Sequence, residues 1–338
     1  MKKHANIPIF IPHYGCPNAC VFCNQVRITG KPSFTEKSVR FEIENALETI
    51  GNGIPYVEIA FFGGSFTAIP RNEMLTLLSI SDEYLKNGRI NSVRLSTRPD
   101  AIDEEILNIL KEHGVGTIEL GIQSTSPSVL SVCKRGHTAE DSRRACELIK
   151  KHGFRLIGQM MTGLPHSTPE DEIKTARDII DFGADGARIY PTVVLNGTEL
   201  SRMEKTGEYT PLTIEDATER CARVLDLFDQ YGVQVIRIGL CANEILENEA
   251  SHSSYHAAVG ELVRSRVFRN RMEAIIDLHV SLEGKSVSFL VPKGKISQAV
   301  GQKKSNIEYV KKKFGIRSVK ITEDEGLTEF DVIINIED

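Results

Sequence analysis

Strand-like apolar runs alternate with amphipathic helical segments over residues 5–242, and this alternation constrains the fold more than any other feature. The runs fall at residues 7–11, 57–62, 93–96, 117–122, 155–161, 187–190 and 233–238. Helical periodicity covers 34–50, 72–87, 103–113, 139–152, 169–182 and 214–231. Ser33 is the expected N-cap of the first helix, and Gly114, Gly153, Gly183 and Gly232 stand where later helices should stop. Parallel strands need a long crossover, so helices of this length between strands predict parallel pairing. Repetition of the unit predicts an α/β fold, an open or partly closed (β/α) barrel. Its functional loops are expected at the carboxyl ends of the strands.

The pattern changes after residue 242. At about 150 residues per domain, 338 residues suit a barrel and a smaller unit. The expected division is 1–242 for the barrel, 243–273 for a connector and helix, and 274–338 for a small α+β unit. Within that unit, strands at 275–282 and 286–291 are expected to form a hairpin turning at Glu283-Gly284-Lys285. Two short helices with Gly301 between them follow, then strands near 318–322 and 330–336.

Composition narrows the class. Hydrophobic residues make up 41% and charged residues 26%, which excludes a disordered or collagen-like chain. No run approaches the ~18 apolar residues of a membrane span. Residues 7–11 include Pro8 and are too few for a signal-peptide core, so a cytoplasmic protein is expected, with no membrane partner. The net charge of −5 singles out no partner.

The seven cysteines are unevenly spaced. Cys133, Cys146, Cys221 and Cys241 are scattered and read as small buried apolar residues. An odd count in a long cytoplasmic chain is not a disulfide framework. Cys16, Cys20 and Cys23 instead share one short loop, Cys16-Pro17-Asn18-Ala19-Cys20-Val21-Phe22-Cys23, directly after the first strand. Three thiolates on one loop can hold one corner of an iron–sulfur cluster, which normally takes four cysteines. The missing fourth leaves an iron open to another ligand. A structural zinc is the alternative and needs a closed fourth ligand, for which His13 is available. His13, between Pro12 and Tyr14, is equally consistent with packing at the strand end.

Further motifs follow successive strands. Phe61-Phe62-Gly63-Gly64-Ser65-Phe66 supplies a glycine turn that serves either a strand-to-helix connection or close approach to a ligand. Leu95-Ser96-Thr97-Arg98-Pro99-Asp100, Glu119-Leu120-Gly121-Ile122-Gln123-Ser124, Lys134-Arg135-Gly136-His137 and Gly158-Gln159-Met160-Met161-Thr162-Gly163-Leu164-Pro165 come next.

In their order and spacing these motifs resemble the radical S-adenosylmethionine (SAM) superfamily, whose signature is a CxxxCxxC loop with an aromatic residue before the last cysteine, here Phe22. The resemblance implies a 4Fe–4S cluster on Cys16, Cys20 and Cys23, with SAM chelated at the open iron. Reductive cleavage of SAM then yields a 5′-deoxyadenosyl radical that abstracts a substrate hydrogen, which calls for an electron donor such as ferredoxin or flavodoxin. Gly63, Gly64 and Ser65 fall at the family's turn beside the methionine amino group. The pairing of Gln123 with Arg135 is similar to oxygen-independent coproporphyrinogen oxidase and to the catalytic subunit of Elongator. It implies a ribose contact from Gln123 and a SAM carboxylate contact from Arg135. Gln159 falls at a ribose-binding aspartate. Ser96 falls where a ribose-binding glutamate is usual, a departure that implies a weaker contact or a substitute group. The Arg98-Pro99-Asp100 and Gly163-Leu164-Pro165 words favour the Elongator-like branch. About 70 residues follow the connecting helix, too few for that subunit's acetyltransferase domain, so no acetyl-CoA chemistry is implied. The scattered cysteines do not suit a second cluster.

The last segment points to a partner. Residues 291–320 carry nine basic residues and one acidic residue within a chain of net charge −5. Such clustering is either a phosphate-binding footprint or a solvated helix face. The stretch around Gly301-Gln302-Lys303-Lys304 is similar to KH domains of the NusA type, in which a GxxG turn between two helices clamps single-stranded nucleic acid. Gly301 matches the first glycine, and Lys304 replaces the second. Gln302, Lys303 and Lys304 are then the implied RNA contacts; a KH-like fold used only for assembly contacts is the alternative.

Together the halves predict a radical SAM enzyme that modifies structured RNA, tRNA or rRNA. The same chemistry on a small molecule is one alternative. A non-catalytic RNA-binding or assembly factor with a structural cluster is another. No residue stands out as the group that receives or quenches the radical.

Overall fold

The computed structural model describes residues 4–11, 20–23, 34–240 and 255–337. Seven strands form one parallel sheet in sequential order: β1 (Ala5–Ile11), β2 (Val57–Gly63), β3 (Ser92–Thr97), β4 (Val115–Gln123), β5 (Arg155–Thr162), β6 (Gly186–Pro191) and β7 (Gln234–Ile238). The sheet curls into a half-barrel, the α/β architecture read from the alternation. Helices α1 (Glu36–Ile50), α2 (Arg71–Lys86), α3 (Glu104–Glu112), α4 (Pro127–Val132), α5 (Ala139–Lys151), α6 (Pro169–Asp181), α7 (Glu199–Thr206) and α8 (Ile214–Gln230) fill the connections.

The residues explain these elements. Ile7, Ile9 and Ile11 alternate along β1 and are fully buried, as are Ile59 and Phe61 on β2. Threonine side chains cap helix after helix: Thr35, Thr138 and Thr168 each form a reciprocal capping box, and Thr198 and Thr213 cap α7 and α8. Each such cap contributes about 1 kcal/mol. Thr35 is thus the cap of α1, not Ser33, which lies outside the described residues. The short helices α4 and α7 fall outside the expected list because six to eight residues carry too little periodicity to read.

The other face of the sheet is polar. Arg94 on β3 lies between two carboxylates, Nη2 donating to Glu58 at 3.0 Å and Nη1 to Glu119 at 2.9 Å. Glu119 also receives Arg188 Nη2 at 2.8 Å. Glu58, Arg94 and Glu119 are buried and Arg188 half-buried, and each is matched by an opposite charge, which is how an interior tolerates them.

Beyond the half-barrel, α9 (Val259–Ile276) leads into a second sheet of order β10–β8–β9, with β8 (Ser286–Pro292), β9 (Ser318–Asp324) and β10 (Ile333–Glu337). β8 and β9 run parallel from Ser286↔Ser318 to Pro292↔Asp324, whereas β10 is antiparallel to β8. The parallel pair is joined by α10 (Ile296–Val300), a 3-10 turn (Gln302–Lys304) and α11 (Ser305–Phe314). The hairpin expected at Glu283-Gly284-Lys285 is absent. α9 continues through Ile276, no strand occupies 277–282, and Leu278 and Val280 are exposed. Gly284, with φ of 73°, turns the chain into β8 instead. The last strand starts at Ile333 rather than at 330, because Phe330 is buried against Phe268 of α9, ring centroids 5.3 Å apart.

α9 belongs to the cores of both sheets. Val263, Val267, Phe268 and Met272 are buried in one continuous cluster with Phe228 of α8 on one side and Phe289, Val310 and Phe330 on the other. Arg271 bridges Asp226 at 2.7 Å and Asp229 at 2.6 Å on α8, and Asn306 of α11 donates to the Ser265 carbonyl at 2.9 Å. No helix among the described residues is long and apolar enough to cross a membrane.

Candidate active site

The sequence motifs converge at the carboxyl ends of the barrel strands. Cys16 lies outside the described residues, so the cysteine loop is represented by Cys20, Val21, Phe22 and Cys23. The Cys23 amide donates to the Cys20 carbonyl at 3.0 Å and closes a turn. Val21 anchors that turn: its amide donates to the Cys133 carbonyl at 3.3 Å, and its carbonyl accepts from the Leu200 amide at 2.7 Å. Val21 is buried in a second apolar cluster with Val129, Cys133, Leu164 and Leu200, and Phe22 packs against it. α4 and α7, unread in the sequence, therefore form the platform of the cysteine loop.

Arg135 reaches this loop. Its Nη1 donates to Cys20 Sγ at 3.2 Å and its Nη2 to the Gly121 carbonyl at 2.6 Å. Both Arg135 and Cys20 are buried. The guanidinium thus places its positive charge directly against the Cys20 sulfur. The Arg135 carbonyl in turn accepts from Arg98 Nη2 at 2.5 Å, while Arg98 Nε donates to Asp100 at 2.5 Å. The Arg98-Pro99-Asp100 word is thus a brace for Arg135, a role its sequence gave no means to read.

Gln123 ends β4 in the left-handed region, with φ of 65°, where the β4–β5 register shifts. Such strain in a non-glycine residue persists only when its surroundings hold it. Gln159 Nε2 lies 3.5 Å from Gln123 Oε1. Gly121 lets these groups converge, since a Cβ there would stand 3.0 Å from Gln123 Nε2 and 3.5 Å from Arg135 Nη2.

Gly63, Gly64 and Ser65 form an adjoining group. Gly63 has φ of 106°, and a Cβ would lie 2.8 Å from the Ile11 carbonyl oxygen. The Gly64 amide donates to that same oxygen at 2.7 Å. The turn is therefore fastened to the last residue of β1. Ser65 Oγ meets Thr97 Oγ1 at 3.0 Å, and Thr67 Oγ1 meets Thr97 at 2.5 Å and donates to the Ala101 carbonyl at 2.6 Å. Ser96 is half-buried on β3 opposite Glu119, and its hydroxyl makes no hydrogen bond among the described residues.

Electrostatics separate the groups that can titrate. His137 is buried, and burial together with the charge on Arg135 pushes its pKa down to about 4. The imidazole is neutral at pH 7, with Nε2 3.3 Å from the Ile122 carbonyl it donates to. Burial pushes the Cys133, Cys146 and Cys221 thiols up to about 12, so they stay protonated. Cys241 lies outside the described residues.

The turn Gly301–Lys304 stands apart on the second sheet's helices. Gly301 has φ of 78°, and a Cβ would lie 2.5 Å from Ser305 Oγ. Lys303 and Lys304 also take positive φ, 51° and 63°. Gln302, Lys303 and Lys304 are exposed. The charge around them is less one-sided than the composition of 291–320 implies. Lys293 pairs with Glu325 at 2.6 Å and Lys313 with Glu273 at 2.8 Å. Lys303, Lys304, Lys311 and Lys312 have no acidic partner among the described residues.

Comparison with known proteins gives two family matches: residues 10–179 to the Radical SAM superfamily, and residues 184–269 to the Radical_SAM C-terminal domain. The chain is 30% identical over 245 residues to a tRNA uridine(34) acetyltransferase of Methanocaldococcus infernus, covering 60% of this chain and 46% of the relative. It is 25% identical to the human Elongator complex protein 3, covering 66% of this chain and 49% of that protein. The chain thus spans about half the length of these relatives. Among solved structures, the archaeal Methanocaldococcus infernus Elp3 with an N-terminal deletion superposes with a TM-score of 0.63 at 25% identity, over 81% of this chain and 64% of that one.

Proposed function

This chain belongs to the radical SAM superfamily, and from that premise we propose that it modifies a structured RNA, a tRNA or rRNA. Members of the family bind a 4Fe–4S cluster and SAM. The donor set suits them: thiols at Cys20 and Cys23, with the Arg135 guanidinium on the Cys20 sulfur. When bound, the cofactor pair supplies a carbon-centred radical able to take hydrogen from an unactivated position. The protein's part is placement. In this reading Cys16 completes the thiolate set, Phe22 packs beneath the loop, and Gly63, Gly64 and Ser65 shape the wall beside it. Gln123 and Gln159 offer amide groups to ribose hydroxyls, Ser96 offers a hydroxyl from β3, and Arg135 fixes the loop from below. A ferredoxin or flavodoxin is the reductant.

The observation that carries the RNA assignment is the turn Gly301-Gln302-Lys303-Lys304 between two helices, exposed at Gln302, Lys303 and Lys304. Its two lysines have no acidic partner among the described residues, and its backbone is left-handed at Lys304, where a KH turn has its second glycine. This placement supports a KH-like RNA-binding role, with Gly301 setting the turn where no Cβ would fit against Ser305 and Asn306. The named relatives that act on tRNA point to the same substrate class. An unpaired nucleotide is favoured at the barrel, because drawing a base from a stack costs a few kcal/mol.

The test uses anaerobically reconstituted protein with SAM, a reductant and small RNA, and quantifies 5′-deoxyadenosine and new nucleoside masses. RNA-stimulated cleavage that Cys20→Ala abolishes and Lys303→Glu/Lys304→Glu weakens at least tenfold supports the proposal. Cleavage indifferent to RNA overturns the RNA assignment and moves the search to small molecules.

A further inference from the structure

A cavity of about 650 Å³ opens at the amino-terminal ends of the strands, opposite the cysteine loop. Its volume lies within the range of small-molecule sites, roughly 300–1,000 Å³. In closed barrels this end is packed for stability. Here the half-barrel leaves it open, and its lining is strongly basic.

Four arginines, Arg94, Arg155, Arg188 and Arg237, face a single lining carboxylate, Glu58. The four differ in how they are held. Arg94 and Arg188 are tied to Glu58 and Glu119, so their charges are balanced within the fold. Arg155 and Arg237 have no acidic partner among the described residues; Arg237 is oriented only by a bond from Nε to the Gly239 carbonyl at 3.0 Å. In a chain with net charge −5, two uncompensated guanidinium groups converging on one cavity are a site for anionic oxygen, which their planar forks bind bidentately. At the rim, Tyr56 is 42% exposed. Its ring lies 5.5 Å from that of His4, which is itself anchored to Glu58 at 2.8 Å. The rim therefore presents a fixed aromatic surface beside the cations.

We propose that this cavity binds a nucleoside polyphosphate, with the phosphates on Arg155 and Arg237 and the base against Tyr56. The site is independent of the cysteine loop and of the RNA reading.

Titration calorimetry of the full chain with ATP and with pyrophosphate tests this. Saturable ATP binding is expected, at least tenfold tighter than that of pyrophosphate. Binding should weaken at least tenfold in Arg155→Ala/Arg237→Ala and by less in Arg155→Lys/Arg237→Lys, which keeps the charge and loses the bidentate fork. It should persist in Lys303→Ala/Lys304→Ala and in the presence of saturating S-adenosylhomocysteine. Circular dichroism and melting curves confirm that each variant is folded. Absence of saturable binding, or binding that survives loss of both arginines in a folded variant, overturns the proposal. So does displacement by S-adenosylhomocysteine or loss only in the lysine variant. Equal affinity for ATP and pyrophosphate overturns the nucleoside assignment.

Discussion

Arg135 and Cys20, 115 positions apart in sequence, are joined by a hydrogen bond from Nη1 to Sγ at 3.2 Å. The bond couples the turn after α4 to the cysteine loop. Donors aimed at cluster sulfurs stabilise the reduced, more negative state, and burial strengthens the effect. Arg135→Gln should therefore lower the reduction potential of the reconstituted cluster, and Arg135→Lys should lower it less. Potentiometric titration followed by electron paramagnetic resonance reads the shift. An unchanged potential in a loaded, folded variant would show that the arginine acts only on the loop's shape.

Thr97 is the shared partner of the Ser65 and Thr67 hydroxyls. Thr97→Val keeps the volume and removes that partner. Ser65 is buried, and its hydroxyl makes no other hydrogen bond among the described residues. The loss should be about 1–3 kcal/mol, the cost of leaving a buried hydroxyl unpaired. Urea denaturation of the two proteins measures it.

His137 predicts a pH dependence. Its folded pKa, about 4, lies below the ordinary 6.5. Between these values the unfolded chain binds the extra proton and the folded chain does not, so stability rises with pH across that window and is lost as pH falls. The contribution is about 3 kcal/mol over the window. His137→Gln should flatten the stability profile between pH 4 and 6.5 relative to the parent protein. Parallel profiles would show that the imidazole is not shielded as described.

Lys304 holds a left-handed backbone, with φ of 63°. Relative to glycine this costs a lysine roughly 1 kcal/mol. Lys304→Gly should raise the melting temperature slightly or leave it unchanged, while weakening RNA binding through the lost charge. The two measurements together separate a backbone role from a phosphate contact. Tighter RNA binding in the glycine variant would mean that close backbone approach outweighs the charge.

The half-barrel was legible because each of its units carries a complete local signal. Ile7, Ile9 and Ile11 alternate along β1, and Thr138 and Thr168 cap the helices that follow β4 and β5. The cysteine loop, Gly63-Gly64 and Gln123 were legible as motifs at strand ends. Their contacts were not, since the bond between Arg135 and Cys20 depends on how α4 and α7 pack and not on any short-range pattern. The C-terminal unit misled for a different reason. α9 is buried on several sides, so no apolar stripe marks where it stops, and Ile275 and Ile276 read as the start of a strand. The partner of β8 is β9, reached through two helices, a pairing that short-range hairpin chemistry does not reveal.

Because α9 is buried in one cluster with residues of both layers, the two sheets cannot swing against each other without breaking that packing. The span from Gly301–Lys304 to the mouth of the half-barrel is therefore a fixed gauge. A ligand that touches both ends is selected by the reach of its own shape, so discrimination among similar sequences can come from length and curvature.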